Sequence, residues 1–324
     1  MPDGLLIVDK PAGPTSHDVV ARARRALRET RIGHTGTLDP MATGVLLLVV
    51  GKATRLAKFL SASGKSYDAV VRFGVATDTA DAQGQPLGPV SELSRPSREA
   101  IDAALDAFRG TFLQQPPAFS AKKIDGRRSY KLARAAREAR LKPSRDLPDL
   151  PDLAALPAPP ALPAPASVTT TRLEIVNVEA DSVTLRVDCS AGFYVRSLAH
   201  DLGERLGVGA HLTALRRTRV GDFALDRAVP LDTLERDPER AAAAIVPLAG
   251  VLPELPSFVV TAEGASRVGH GQDVRPEDQL SRLNAQPSAL SPQPFVRLLG
   301  PGGELLAIAE RTGAGLLHPS VVLV

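Results

Sequence analysis

Apolar residues along this chain recur at two different spacings, and each change of spacing marks a new element. Residues 5–9 begin as a short apolar strand, after which Thr15 and Ser16 cap a helix running to about residue 28. Glycine, threonine and proline break up residues 33–44, which read as a loop. Residues 45–50 are apolar without interruption, the mark of a strand covered on both faces. Residues 52–60 look helical, and 67–75 are β-branched and alternating, hence a strand. Ile101, Ala104, Leu105 and Phe108 keep helical spacing within 97–108, and a further helix is expected over 129–140. Strand patterns return at 169–178 and 183–189, followed by a helix from about 195 to 206.

Two stretches break this alternation. Prolines recur among Ala, Leu and Asp between positions 143 and 165, where neither a helix nor a strand ladder can form, so the run reads as an insertion inside one domain. A second punctuated zone, 247–256, precedes short strand candidates at 258–261, 295–299, 304–310 and 316–324. These predict a small β-rich barrel. The expected organisation is one domain over 1–249 and a second over 250–324.

Composition narrows the classes. At 324 residues the chain exceeds one typical domain, and 44% hydrophobic with 23% charged residues excludes wholesale disorder. Aromatics supply only 4% with no Trp, so the core must rest on Ala, Leu and Val. The single cysteine, Cys189, excludes a disulfide framework and a cysteine-based metal cluster. The apolar runs at 5–8 and 45–50 fall far short of the roughly 20 residues of a membrane span, and no targeting segment is visible. A soluble, cytoplasmic chain is expected. Net charge is only +3, but positive charge is bunched. One group is Arg22, Arg24, Arg25, Arg28 and Arg31; a second is Lys122, Lys123, Arg127, Arg128, Lys131 and Arg134; a third is Arg216, Arg217 and Arg219. Each alone reads as a solvated face, while three together suggest a footprint on a phosphate backbone.

The candidate chemistry centres on Gly-His-Thr-Gly-Thr-Leu-Asp-Pro-Met-Ala-Thr-Gly, residues 33–44. No Gly-Lys-Ser/Thr ends it, so it is not a phosphate-binding P-loop, and the strand that follows excludes a dinucleotide fingerprint. It offers one carboxylate, Asp39, on a glycine-flanked loop stiffened by Pro40. Spacing alone leaves open whether Asp39 is reactive or merely opens an Asp-Pro turn, and whether His34 only satisfies a backbone carbonyl. A second constellation runs from Cys189 to Leu198, where a strand ends at Gly192 and a helix begins near Tyr194 and Arg196. An arginine in a first helical turn opposes the macrodipole, so a carboxylate is its natural partner, although an exposed snorkelling side chain fits as well. The six histidines show no metal-ligand spacing, and no Gly-x-Ser-x-Gly elbow is present. Carboxylate chemistry with no metal and no cofactor is the expectation.

These residues resemble the TruB-type tRNA pseudouridine synthases, which isomerise uridine 55 in the T arm. The octapeptide 33–40 is similar to that family's catalytic motif. Further matches follow in the family's order: Lys10-Pro11-Ala12-Gly13, Lys65-Ser66-Tyr67, residues 116–121, Tyr194-Val195-Arg196-Ser197-Leu198, and Gly209-Ala210-His211 ahead of Leu215-Arg216-Arg217. The match spans about residues 4–245; the tail, with Gly269-His270-Gly271-Gln272, resembles a PUA-type RNA-binding domain more weakly. The resemblance implies an α+β fold, with a mixed, largely antiparallel sheet flanked by helices and a small β-rich C-terminal domain.

Carried over by position, it makes Asp39 the catalytic carboxylate, Tyr67 the residue that stacks on the base and abstracts a proton, and Arg196 the partner of Asp39. His34, Tyr194 and Leu215 would line the base pocket or hold the displaced nucleotide, and Lys10 would help hold the loop. The partner implied is the T-arm stem-loop of tRNA, bound by a monomer with no membrane and no small-molecule cofactor. The proline-rich run exceeds the family's usual connection. Two other classes remain: a guide-RNA-dependent pseudouridine synthase subunit, and a tRNA-binding or folding chaperone with incidental catalysis. A retaining glycosidase ranks last, because it needs two neighbouring carboxylates.

Overall fold

A computed structural model describes residues 2–89, 95–120, 122–124, 126–141, 162–283, 294–312 and 315–324. Residues 143–161 of the proline-rich run lie outside the described residues. In chain order come β1 (Gly4–Lys10), α1 (Ser16–Leu27), β2 (Ile32–His34), β3 (Thr43–Val50), α2 (Ala57–Ser61), β4 (Lys65–Phe73), α3 (Arg98–Leu105) and β5 (Gly110–Gln114). A short hairpin of β6 (Lys123–Ile124) and β7 (Arg127–Arg128) leads to α4 (Ser129–Leu141), β8 (Ala166–Val178), β9 (Ser182–Cys189), α5 (Val195–Arg205) and β10 (Ala210–Val220). Then follow β11 (Phe223–Ala224), β12 (Val229–Pro230), α6 (Leu231–Arg236), α7 (Pro238–Ala243) and β13 (Val246–Pro247). The last are β14 (Ser257–Val260), α8 (Ala262–Gly269), β15 (Gln279–Leu283), β16 (Phe295–Leu299), β17 (Leu305–Arg311) and β18 (Leu317–Val322).

These elements form two compact units, one of residues 1–67 with 216–324 and the other of residues 68–215. In the first, β3 carries antiparallel β1 along one edge, from Gly4 opposite Val50 to Lys10 opposite Gly44. The other edge takes β2, from Ile32 opposite Val50 to His34 opposite Leu48, and nearer the strand's start takes β10 in parallel, Arg217 opposite Gly44. Residues 36–42 leave the sheet where this second edge changes partner. Val45 to Val50 are at most 1% exposed, which explains why all six positions are apolar. Helix α1 is set by a capping box, in which the Thr15 hydroxyl accepts from the Asp18 amide and the Asp18 carboxylate accepts from the Thr15 amide. Val19, Val20, Ala23 and Leu27 form its buried stripe, and Arg28 ends it in the left-handed region.

The tail's five strands are ordered β15-β14-β16-β17-β18. They bury two apolar sets. Phe258, Val268, Val296 and Leu306 make one with α8, while Leu299, Leu305, Ile308, Val321 and Leu323 join the core built on Leu5, Ile7, Val45 and Leu47. In the second unit the strands lie in the order β10-β4-β9-β8-β5, with β8 antiparallel to both β9 and β5. Leu198, Ala199 and Leu202 of α5 and Ile101 and Leu105 of α3 are fully buried, and these helices pack together. The fold is α+β on mixed, largely antiparallel pairing, as expected. Among the described residues no helix is long and apolar enough to cross a membrane.

Three local details go beyond the sequence reading. The helix expected over 52–60 starts as a 3-10 turn, Gly51–Leu56, because Thr54 donates to the Gly51 carbonyl at 2.7 Å and the Lys52 amide donates to the Asp3 carboxylate at 2.8 Å. The tail holds the four strands expected and adds a fifth, β15, and the helix α8. Strand β10 went unpredicted, since its basic run hides the alternation.

Candidate active site

Asp39 sits half-buried in the loop between β2 and β3, and every flank of that loop is tied down. Ser16, the first residue of α1, both donates to the Leu38 carbonyl at 3.1 Å and accepts from the Leu38 amide at 2.9 Å. The Ala42 amide closes a turn on the Asp39 carbonyl at 3.1 Å, and the Gly13 amide donates to the Pro40 carbonyl at 2.8 Å. From beneath, the Lys10 ammonium gives its three protons to the carbonyls of Pro11, Pro40 and Ala42 at 2.8, 3.2 and 2.7 Å. Lys10 has no exposed surface. Burial pushes its pKa down to about 8; the Asp39 charge pulls it up and the Arg217 charge pushes it down further. Gly44 is required where it stands, at φ +100°, because a β-carbon there would lie 2.2 Å from the Arg217 carbonyl oxygen.

His34 ends β2 and meets His17 of α1 edge-to-face, with ring centroids 5.2 Å apart. Burial first, then the charges of His17 and Arg217, push its pKa down to about 4, so the imidazole is neutral near pH 7. Its Nδ1 is buried with no hydrogen-bond partner among the described residues. Tyr67 lies on β4 and is 7% exposed. Two residues before it, Lys65 donates to the Ser61 and Ser63 carbonyls at 2.8 and 2.6 Å.

Tyr194, Arg196 and Leu215 belong to the second unit. A clasp with Gln114 fixes the Tyr194 backbone, whose amide donates to Oε1 at 2.8 Å and whose carbonyl accepts from Nε2 at 3.0 Å. Arg196, the second residue of α5, is 6% exposed. It donates to the Thr79 carbonyl at 3.0 Å and the Phe119 carbonyl at 2.8 Å, and its Nε lies 3.8 Å from the Asp81 carboxylate. Asp81 is itself buried and accepts from Thr79 Oγ1 at 2.7 Å and the Gln83 amide at 3.0 Å. The resemblance names Asp39 as the carboxylate for Arg196; Asp81 is a neighbour of the guanidinium that the sequence does not announce. The available signal was the polar turn around it, with Asp78, Thr79 and Gly84 close by. Leu215 is buried on β10.

The basic clusters divide. In the first, Arg25, Arg28 and Arg31 are exposed, while Arg24 donates to the Ile32 carbonyl and Arg22 lies 3.6 Å from Glu235. The third is only partly a solvated face, since Arg219 is exposed and Arg217 is not. Arg217 is 1% exposed, and Arg216 pairs with Asp9 at 2.8 Å, because neighbours on a strand point to opposite sides. Among the described residues no group of three or more His, Cys, Asp or Glu side chains could hold a metal ion.

Comparison with known proteins follows the same lines. The family model for the N-terminal domain of TruB family pseudouridylate synthases matches residues 24–147, and that for the tRNA pseudouridylate synthase B C-terminal domain matches residues 196–252. The tRNA pseudouridine synthase B of Solibacter usitatus is 41% identical over 99% of this chain and 100% of its own length. That of Thermobifida fusca is also 41% identical, over 99% of each. Among solved structures, a chain of a Cbf5-Nop10-Gar1 complex superposes with a TM-score of 0.70 at 26% identity, covering 100% of this chain and 85% of that one. An H/ACA RNP bound to a substrate RNA containing 2′-deoxyuridine shares the fold, with a TM-score of 0.69 at 24% identity over 99% and 85% of the two chains.

Proposed function

The chain belongs to the TruB family of tRNA pseudouridine synthases, and we propose that Asp39 is the carboxylate with which it isomerises uridine 55 in the T-arm loop of tRNA. The observation that carries this reading is the clamped loop: one carboxylate, fixed through both neighbouring residues, above a buried ammonium. The reaction breaks the C1′–N1 bond, rotates the uracil and rejoins it through C5, whose proton leaves. An ionised carboxylate splits this into two easier steps, by attack at C1′ or by assisting glycal formation. Neither oxidation nor hydrolysis occurs overall, so the residues suffice.

The remaining assignments follow from the loop. Asp39 needs a cation that cannot surrender its charge, and Arg196 is the residue we assign to it. Tyr67 offers a flat face for the uracil and a polar tip for the C5 proton. A uridine must leave its stack to be reached, at a cost of a few kcal/mol, and the neutral His34 with its unpartnered nitrogen is suited to fill the gap. Tyr194 and Leu215 would line the pocket for the displaced base. We assign tRNA backbone contacts to the exposed Arg25, Arg28 and Arg31 at the end of α1 and just beyond it and to Lys122, Arg127, Arg128 and Lys131, and further RNA contacts to a PUA-like tail from about residue 250. A monomer acting in the cytoplasm completes the proposal. Tritium release from C5-labelled uridine in a T-arm stem-loop tests it: Asp39→Asn should lose at least about 10³-fold in rate, and an unchanged rate would end the assignment. Activity on bare tRNA transcript separates this reading from a guide-dependent one.

A further inference from the structure

A buried arginine is costly unless its five N–H donors are satisfied. Arg217 directs three of its donors at the loop that carries Asp39 and the strand that follows it. Its Nε donates to the Val45 carbonyl at 2.7 Å, one Nη to the Gly36 carbonyl at 3.1 Å, and the other, more loosely, to the Thr37 carbonyl at 3.5 Å. Gly36 and Thr37 lie on the way into the loop and Val45 on the way out, so one rigid fork spans both limbs. The backbone of the same residue runs in parallel register with Gly44 and closes on it too tightly for any β-carbon. Lys10 holds the remaining turn at Pro40 and Ala42. Asp39 therefore lies between two sets of immobilised carbonyls, one gripped by each cation.

We propose that Arg217 is a positioning residue for the isomerisation: by bridging the two limbs of the loop it fixes the direction in which the Asp39 carboxylate is presented. This rests on the reading of Asp39 as the reacting group. The fork matters as well as the charge, since a planar guanidinium holds its donors in fixed directions and the shorter, rotatable ammonium of a lysine does not. Arg217 does not touch the RNA in this account, so its loss acts on the chemical step and leaves binding alone.

The test uses the full-length chain and a T-arm stem-loop, with kcat and KM measured below each variant's unfolding temperature. Arg217→Lys should lower kcat by about 100-fold while KM stays within about threefold, the size of effect expected when a reacting group is misplaced by about 1 Å. Gly36→Ala leaves Arg217 in place and shifts one of the carbonyls it holds, at φ +88° where alanine is strained. It should give the same split at about 10-fold, and it decides the matter if the Arg217 variant does not fold. Asp39→Asn is measured alongside. Normal kcat in both Arg217→Lys and Gly36→Ala with an inactive Asp39→Asn overturns the role of Arg217 alone, and so does any loss carried by KM. An active Asp39→Asn overturns the reading beneath it.

Discussion

Lys10 and Arg196 are both buried cations near the ends of strands or helices, and they are housed in opposite ways. Lys10 meets three backbone carbonyls and, among the described residues, no carboxylate; one carbonyl comes from the next residue, Pro11, and two from the turn at Pro40 and Ala42. Arg196 reaches carbonyls on two distant segments, Thr79 and Phe119, and has the Asp81 carboxylate beside it. A compact ammonium with three rotatable donors suits the first task and a planar fork the second. The difference extends to protons, because lysine can lose its charge at an accessible pH and arginine cannot.

The contrast breaks most visibly at Arg196. Arg196→Met would leave Asp81 charged in the interior, so stability should fall by about 3–5 kcal/mol in urea unfolding, with pseudouridine formation lost. A decrease below about 1 kcal/mol would mean that Asp81 does not depend on the guanidinium. The next effect is one of pH. The Lys10 ammonium titrates near 8 when folded and at 10.5 when fully hydrated, so between those values the unfolded chain holds more protons and stability should rise with pH. Measured against Lys10→Met, the rise should be on the order of 1–3 kcal/mol, and a fall over the same window would contradict the burial of the charge. His34 has the same sign lower down: relative to His34→Gln, the protein should lose stability as pH drops from 6.5 to about 4. The smallest effect per residue belongs to the exposed charges. Arg25→Glu and Arg28→Glu should weaken tRNA binding without altering kcat and lower the logarithmic salt slope by about one for each phosphate no longer neutralised. Unchanged binding at low and high salt would remove the end of α1 and its cap from the interface.

Much of the fold could be read from local signals. The unbroken Val45–Val50 run, the Thr15 cap and the glycines around Asp39 each have a physical reason confined to a few neighbouring residues. Arg217 and Asp81 were illegible for the opposite reason. Nothing local says that the second of two consecutive arginines turns inward; the strand's alternation decides it, and that strand was itself masked by its charges. Asp81 is one acid among many until the chain brings it to Arg196. The sequence could state that Arg196 needed a carboxylate, and the fold adds Asp81 to the surroundings of its guanidinium.

The apolar cluster on which β1 and β3 rest is completed by side chains as late in the chain as Leu323. A nascent chain that has emerged only through β10 already contains Asp39, Tyr67, Arg196 and Arg217, yet the sheet holding the first of them still lacks its lid. Competence for catalysis should thus wait until β17 and β18 have been made, and removing them should cost activity through the strands beneath the loop, whatever those residues do with RNA.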